Sequence, residues 1–226
     1  MIGVHSTRSA QPLHPTLIRR SIQLLFSSGF AVSLLIMRIA FSRELTYRFL
    51  AWNLFLAWLP YILGELAAYA YRRRHWGMLL SFGGLWLLFF PNAPYILTDF
   101  LHLIQRAPIP LWYDLLLLAT FSWTGVSLAL TSLATMHAIV GEHGGWIGGW
   151  FFAGATLALG GMGVYVGRFL RWNSWDVFFS PTAIFADVAV RLLHPLAHRQ
   201  TYAVTVLFSA FLFVCYLTLA PTRSRD

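Results

Sequence analysis

The chain has 226 residues, of which 58% are hydrophobic and only 11% charged, with a net charge of +8. Soluble domains run near 25% charged, and several apolar runs here reach about 20 residues, enough to cross roughly 30 Å of hydrocarbon. A soluble domain is therefore excluded, and so is a β-barrel, whose segments of about 10 residues alternate apolar and polar. The fold class expected is all-α: a polytopic transmembrane helical bundle of about six spans. The basic residues are all arginine, which binds planar anions bidentately, although uniform arginine usage fits genome composition equally well. The positive charge suits anionic lipid head groups. No long soluble basic segment exists to hold a nucleic acid, so the bilayer is the expected partner and nucleic acid is not. The single Cys215 lies in an apolar run and permits no intrachain disulfide.

Residues 1–20 read as a polar cytoplasmic tail, 21–220 as a single transmembrane domain, and 221–226 as a short basic tail. The first span is 21–41, too long for a signal-peptide core and read as a retained helix. In the second, 49–71, Asn53, Ala57, Pro60 and Gly64 recur every three or four residues and share one small or polar face. That face suits close helix packing or a groove wall. Glu65 is expected to pair with Arg72-Arg73-Arg74. The third span starts at Gly77, and 77–90 would make only about 21 Å of helix at 1.5 Å per residue before Pro91-Asn92-Ala93-Pro94 breaks it. Irregular backbone at membrane depth must be covered by protein or line a wet cavity.

After a turn at 105–110, Trp112 and Tyr113 sit where an aromatic belt would. Asp114 opens the fourth span, 115–139, at a helix N-terminus that favours an anion. His137, Glu142 and His143 match no metal-ligand spacing, and no metal or cofactor is expected. The fifth span, 146–167, is rich in glycine, which lets neighbouring helices approach. Ser180-Pro181 reads as a helix start. In 182–193, Ile184, Phe185, Val188 and Leu192 share a face and Asp187 and Arg191 form an i,i+4 pair on another. A helix of this length should lie in the interface. The sixth span is 202–219.

Six spans put the loops around Arg43, Asp99–Asp114 and Arg168–Asp176 on one side. Arginines divide evenly between the two sides, so the simple count gives no orientation. The Arg72-Arg73-Arg74 cluster and Arg19-Arg20, each at a span end, favour both termini inside.

Three stretches carry a resemblance: Asn53-Leu54-Phe55-Leu56-Ala57-Trp58 with Pro60, Phe90-Pro91-Asn92-Ala93-Pro94-Tyr95 through Asp99, and Gly167-Arg168-Phe169-Leu170-Arg171-Trp172-Asn173-Ser174-Trp175-Asp176. Together they resemble an uncharacterised family of bacterial multi-pass membrane proteins, domain of unknown function 1361, over roughly residues 20–220. The resemblance implies a bacterial cytoplasmic-membrane protein. It supplies no activity, substrate or catalytic residue.

The candidate site is therefore read from the residues. Asp99 and His102 are three apart, as are Arg168 and Arg171, and Asn92, Asp114, Asn173, Asp176 and Asn53 lie toward the same side. Ionisable groups so close to apolar runs must pair or line a polar cavity, because burying one in a bilayer costs at least ~2.5–3.5 kcal/mol. In one reading an Arg–Asp network pins spans three, four and five. In a second, Arg168, Arg171, Asn173, Asp176, Asn92, Asp114 and Asn53 bind an anionic lipid or small anionic solute, and the broken helix supplies free backbone groups as in discontinuous-helix transporters. The lack of an obvious internal repeat counts against transport. In a third, Asp99 and His102 act as acid and base on a lipid-linked or phosphorylated substrate, with the arginines steadying a developing anion. The function expected is a polar cluster that stabilises the bundle and binds an anionic lipid or small solute. A membrane-embedded enzyme and a small transporter are the alternatives.

Overall fold

The computed structural model describes residues 15–219. The basic tail 221–226 and most of the polar N-terminal tail lie outside the described residues. Among those described there is no strand, and five helices are long and apolar enough to cross a membrane. Helix α1 (Pro15–Ser42) begins earlier than the composition suggested, so 15–20 is helix rather than tail. Helix α2 (Phe49–Arg72) returns antiparallel to α1, with Ser21 bonded to Tyr61 at 2.6 Å and Trp58 donating to Ser28 at 3.1 Å. Its small face is used for packing. Ala57 is fully buried, and Gly64 lies against Trp86 and Ser132.

Helix α3 (Trp76–Phe89) is short. The chain then makes a single helical turn, α4 (Asn92–Tyr95), and a 3-10 turn, Ile96–His102. Pro91 and Pro94 account for the change, because neither can donate the backbone hydrogen bond that would continue the α3 ladder. Phe90 and Ile96 on either side are fully buried, so the irregular segment is covered by protein, as its depth requires.

Helix α5 (Leu111–Phe169) contains non-helical Gly145, with φ 67° and ψ −172°. This left-handed backbone is cheap only for glycine, and it turns the helix back on itself. The His137 and Trp150 rings lie 5.1 Å apart, whereas 13 residues of straight helix would separate them by about 20 Å. α5 is therefore a hairpin with arms 111–144 and 146–169. A short turn, α6 (Asp176–Phe179), precedes the amphipathic α7 (Pro181–Leu193) and then α8 (Arg199–Leu219).

These pairings sort the chain ends. The start of α1, the α2–α3 turn, the Gly145 turn and the end of α8 share one end of the bundle. Tyr71 donates to Glu142 at 2.6 Å, and His137 is bonded to Tyr216 at 2.7 Å. The α1–α2 loop, residues 103–110 and residues 170–180 share the other. The core between them is built on Trp86, Phe90, Leu117, Leu118, Phe121 and Leu133, each at most 1% exposed. Large apolar side chains such as Trp146, Phe151 and Leu207 face outward, as a lipid-facing surface would.

Candidate functional site: a buried polar network beside a lateral cavity

The polar residues at the second end form two networks. The first is centred on Asp99, which is 1% exposed. In a 3-10 helix positions i and i+3 eclipse, so Asp99 and His102 stack on one face, and both meet Arg168. Asp99 Oδ1 lies 3.6 Å from Arg168 Nη1, and Oδ2 accepts a 2.8 Å hydrogen bond from Asn53 Nδ2. Arg168 Nη2 donates to His102 Nε2 at 2.8 Å. A guanidinium only donates, so this imidazole is neutral and carries its proton on Nδ1. Arg168 Nη1 also reaches the Tyr95 hydroxyl at 3.5 Å, with the guanidinium 5.9 Å from the Tyr95 ring centroid.

Small residues on the second arm of α5 set this register. A Cβ at Gly160 would meet Phe90, one at Gly163 would meet Pro91, and one at Gly167 would meet Tyr95. The arm therefore lies against the broken segment along its length and delivers Arg168, in the last turn, to Asp99. A helix C-terminus also favours a cation there.

The second network takes Asp114 away from the first. Arg38, in α1, grips Asp114 bidentately, Nε–Oδ1 at 2.6 Å and Nη2–Oδ2 at 3.1 Å, with both side chains at most 1% exposed. The guanidinium stacks 4.5 Å over Tyr47, whose hydroxyl donates to the His102 carbonyl at 3.0 Å. Burial and then the Asp114 carboxylate push the Tyr47 phenol above its ordinary value, so it remains a neutral donor. With both oxygens engaged, Asp114 pins α1 to α5.

The remaining candidates make no hydrogen bond or ion pair with Asp99. Arg171 has φ 61°, just past the end of α5, and is exposed with no ion pair among the described residues. Asp176 Oδ2 accepts from the Asn173 backbone N–H at 2.7 Å, a local turn bond. Asn92 Nδ2 donates to Ser174 at 3.1 Å and ties the broken segment to the linker after α5. Glu65 forms no ion pair with Arg72–Arg74 and instead accepts from Thr135 at 3.1 Å.

Residues 52–215 match the family model described as Protein of unknown function (DUF1361). The chain belongs to that family. No curated protein and no solved structure matches it. The DUF1361 match takes in Asn53, Asp99, His102 and Arg168, but not Arg38, the partner of Asp114.

Alongside the Asp99 network the DUF1361 chain has a lateral cavity of about 570 Å³, bounded by α2, α3, the broken segment, the second arm of α5 and α7. Its walls are mainly apolar, from side chains such as Leu56, Leu88, Val166 and Ile184, and its polar groups are Asn53, Asn92, Tyr95, Asn173 and Ser174. Asn53 and Tyr95 are the groups bonded to Asp99 and Arg168. Apolar walls with a few placed polar groups, at this volume, are features that small-molecule pockets share in general.

Sequence reasoning had not singled out Arg38, Tyr95, Tyr47 or Ser174. A signal existed for Arg38, which is the lone charge inside the first apolar run and an intramembrane ionisable group with a partner to be found. Nothing comparable marks the two tyrosines.

Proposed function

We propose that this is a multi-pass protein of the bacterial cytoplasmic membrane, crossing six times with both termini cytoplasmic, that binds a membrane amphiphile in the 570 Å³ cavity. Five helices are long and apolar enough to cross. The longest folds back at Gly145, which supplies the sixth crossing. Arg72–Arg74 sit at the end where α1 begins, so the positive-inside rule favours that orientation.

The observation that carries the binding role is the union of apolar wall and fixed polar end. Asp99 and Arg168 neutralise each other and hold Asn53 and Tyr95 at the cavity edge, where they are free of side-chain entropy cost on binding. The ligand that fits has a hydrocarbon body and a head that exchanges hydrogen bonds with amides and hydroxyls, such as a hydroxyl, amide or glycosyl head. An anionic head is the weaker fit, because Arg168 is occupied by Asp99 and Arg171 is exposed outside the network. Asp99 and His102 both answer to Arg168, so neither is presented to the cavity as an acid or a base, and binding is a better reading than catalysis.

Lipid extraction and mass spectrometry of the purified full chain test this. The wild type should retain an amphiphile enriched over the bulk membrane lipids. Val188→Trp, which fills the cavity from α7, and Tyr95→Phe, which removes one polar group but keeps the ring, should each deplete it. Ile147→Trp on the outward face should not. No enrichment in the wild type, or equal retention in Val188→Trp, would overturn the binding role.

A further inference from the structure

A second cavity, of about 390 Å³, lies toward the opposite end of the bundle between α1 and α8, floored by the first arm of α5. Its chemistry differs from that of the cavity beside Asp99. Arg20 lines it, together with Gln23 and Ser27 from α1, Ser127 and Thr131 from α5, and Tyr216 from α8. Arg20 is half-buried and makes no ion pair among the described residues. Glu65 on α2 is within electrostatic reach of both Arg20 and Arg72, but its carboxylate bonds to Thr135. This end also carries Arg19, Arg72, Arg73 and Arg74, so the field at the cavity mouth is positive.

We infer that this cavity is a binding site for an anionic glycerophospholipid, with the phosphate held by Arg20 and an acyl chain running inward along Leu24 and Leu130. The occupant follows from position and charge. α1 and α8 each pack on α5 and leave the gap between them facing the surrounding lipid, and the unpaired guanidinium sits where a span emerges. Basic pockets between membrane helices are suited to lipid phosphates. Arginine binds a phosphate bidentately, with charge-assisted hydrogen bonds about twice as strong as neutral ones, and the hydroxyls of Ser127 and Thr131 can complete the shell. The lipid would act as a wedge, filling a gap that α1 and α8 do not close themselves. The site is independent of the cavity beside Asp99 and stands or falls separately from it.

The test is native mass spectrometry of the full chain released from nanodiscs, comparing phosphatidylcholine alone with a phosphatidylcholine–phosphatidylglycerol mixture. The wild type should carry a discrete phosphatidylglycerol adduct. Arg20→Gln should weaken its retention about tenfold, which corresponds to ~1.4 kcal/mol, and Ser127→Leu, which fills the floor, should also displace it. Arg73→Gln, an exposed change at the same end, should leave the adduct in place. Retention of phosphatidylcholine equal to that of phosphatidylglycerol would overturn the inference. So would an undiminished adduct in Arg20→Gln, or an Arg73→Gln loss as large as the Arg20→Gln loss. Displacement of the adduct by excess inorganic phosphate would assign the site to a free anion and overturn it as well.

Discussion

Replacing Asp99 with Asn tests the network directly. The substitution keeps the shape, removes the charge and leaves Arg168, 14% exposed, beside a neutral amide. At 3.6 Å and an effective dielectric near 20, Coulomb's law assigns the pair about 4.6 kcal/mol of attraction before desolvation. Breaking a buried pair by removing one partner costs roughly 3–5 kcal/mol. Arg168 keeps some exposure and two other acceptors, His102 and Tyr95, so the low end applies, about 3 kcal/mol. The new amide also has one oxygen where Asp99 had two, so either Asn53 or Arg168 loses an acceptor. The assay is reversible unfolding in mixed micelles, followed by tryptophan fluorescence. Asp99→Asn with Arg168→Gln should recover a third or more of the loss, because the stranded charge is gone, giving a coupling of about 1 kcal/mol or more. An Asp99→Asn cost below about 0.5 kcal/mol, the range of an ordinary surface change, would refute the reasoning. So would strictly additive losses in the double variant.

The Arg38–Asp114 pair is closer, bidentate and fully buried, so Asp114→Asn should cost more than Asp99→Asn, about 5 kcal/mol, in the same unfolding assay. Gly163→Ala should destabilise by about 1–3 kcal/mol through overpacking against Pro91, while Gly154→Ala, whose Cβ meets nothing within 4 Å, should be neutral or slightly stabilising; equal effects would dismiss the close approach of the α5 arm. Val188→Asp, placing a carboxylate at a half-buried position of α7, should lower membrane-integrated protein, while a polar change at exposed Thr182 should not, read by carbonate extraction. Cysteines introduced at Gln105 and Arg73, at opposite ends of the bundle, should label from opposite sides of intact cells and inverted vesicles, with Gln105 reached from outside.

The fold was legible because it follows from burial. Continuous apolar runs set the helices, the gap between the runs 115–139 and 146–167 marked the hairpin, and Pro91 and Pro94 marked where the α3 ladder ends. Partner choice among the polar groups was not legible. Arg38 and Asp114 are 76 positions apart, and nothing local fixes the depth of α1 against α5. Arg168 and Arg171 have the same spacing as Asp99 and His102, which suggested that both would act together. The spacing misleads because Arg171 lies beyond the last turn of α5 in left-handed backbone, with Trp172 N–H returning to Val166 O at 3.3 Å. Arg168 reaches Asp99, whereas Arg171 is exposed and forms no ion pair among the described residues. Asp99 and His102 remain eclipsed because their turn is 3-10. Likewise Asn173 and Asp176, three apart, satisfy each other in a local turn rather than converging on Asp99.

Charge pairing then separates what the two ends can recognise. At the Asp99 end the arginines of the two networks, Arg38 and Arg168, each face an acid, and the polar groups lining the cavity there are amides and hydroxyls. At the other end Arg20 lines a cavity and has no ion pair among the described residues, which is why the ligand proposed there carries a negative head. The family match adds a second distinction. Each group lining the larger cavity falls within the matched 52–215, whereas Arg20, Gln23 and Ser27 precede it. Recognition that a DUF1361 relative could share through the matched stretch therefore belongs to the larger cavity. The proposed anionic-lipid site depends on how this chain's own first helix is placed, which the Arg38–Asp114 pair sets together with bonds such as Ser27 to Thr124.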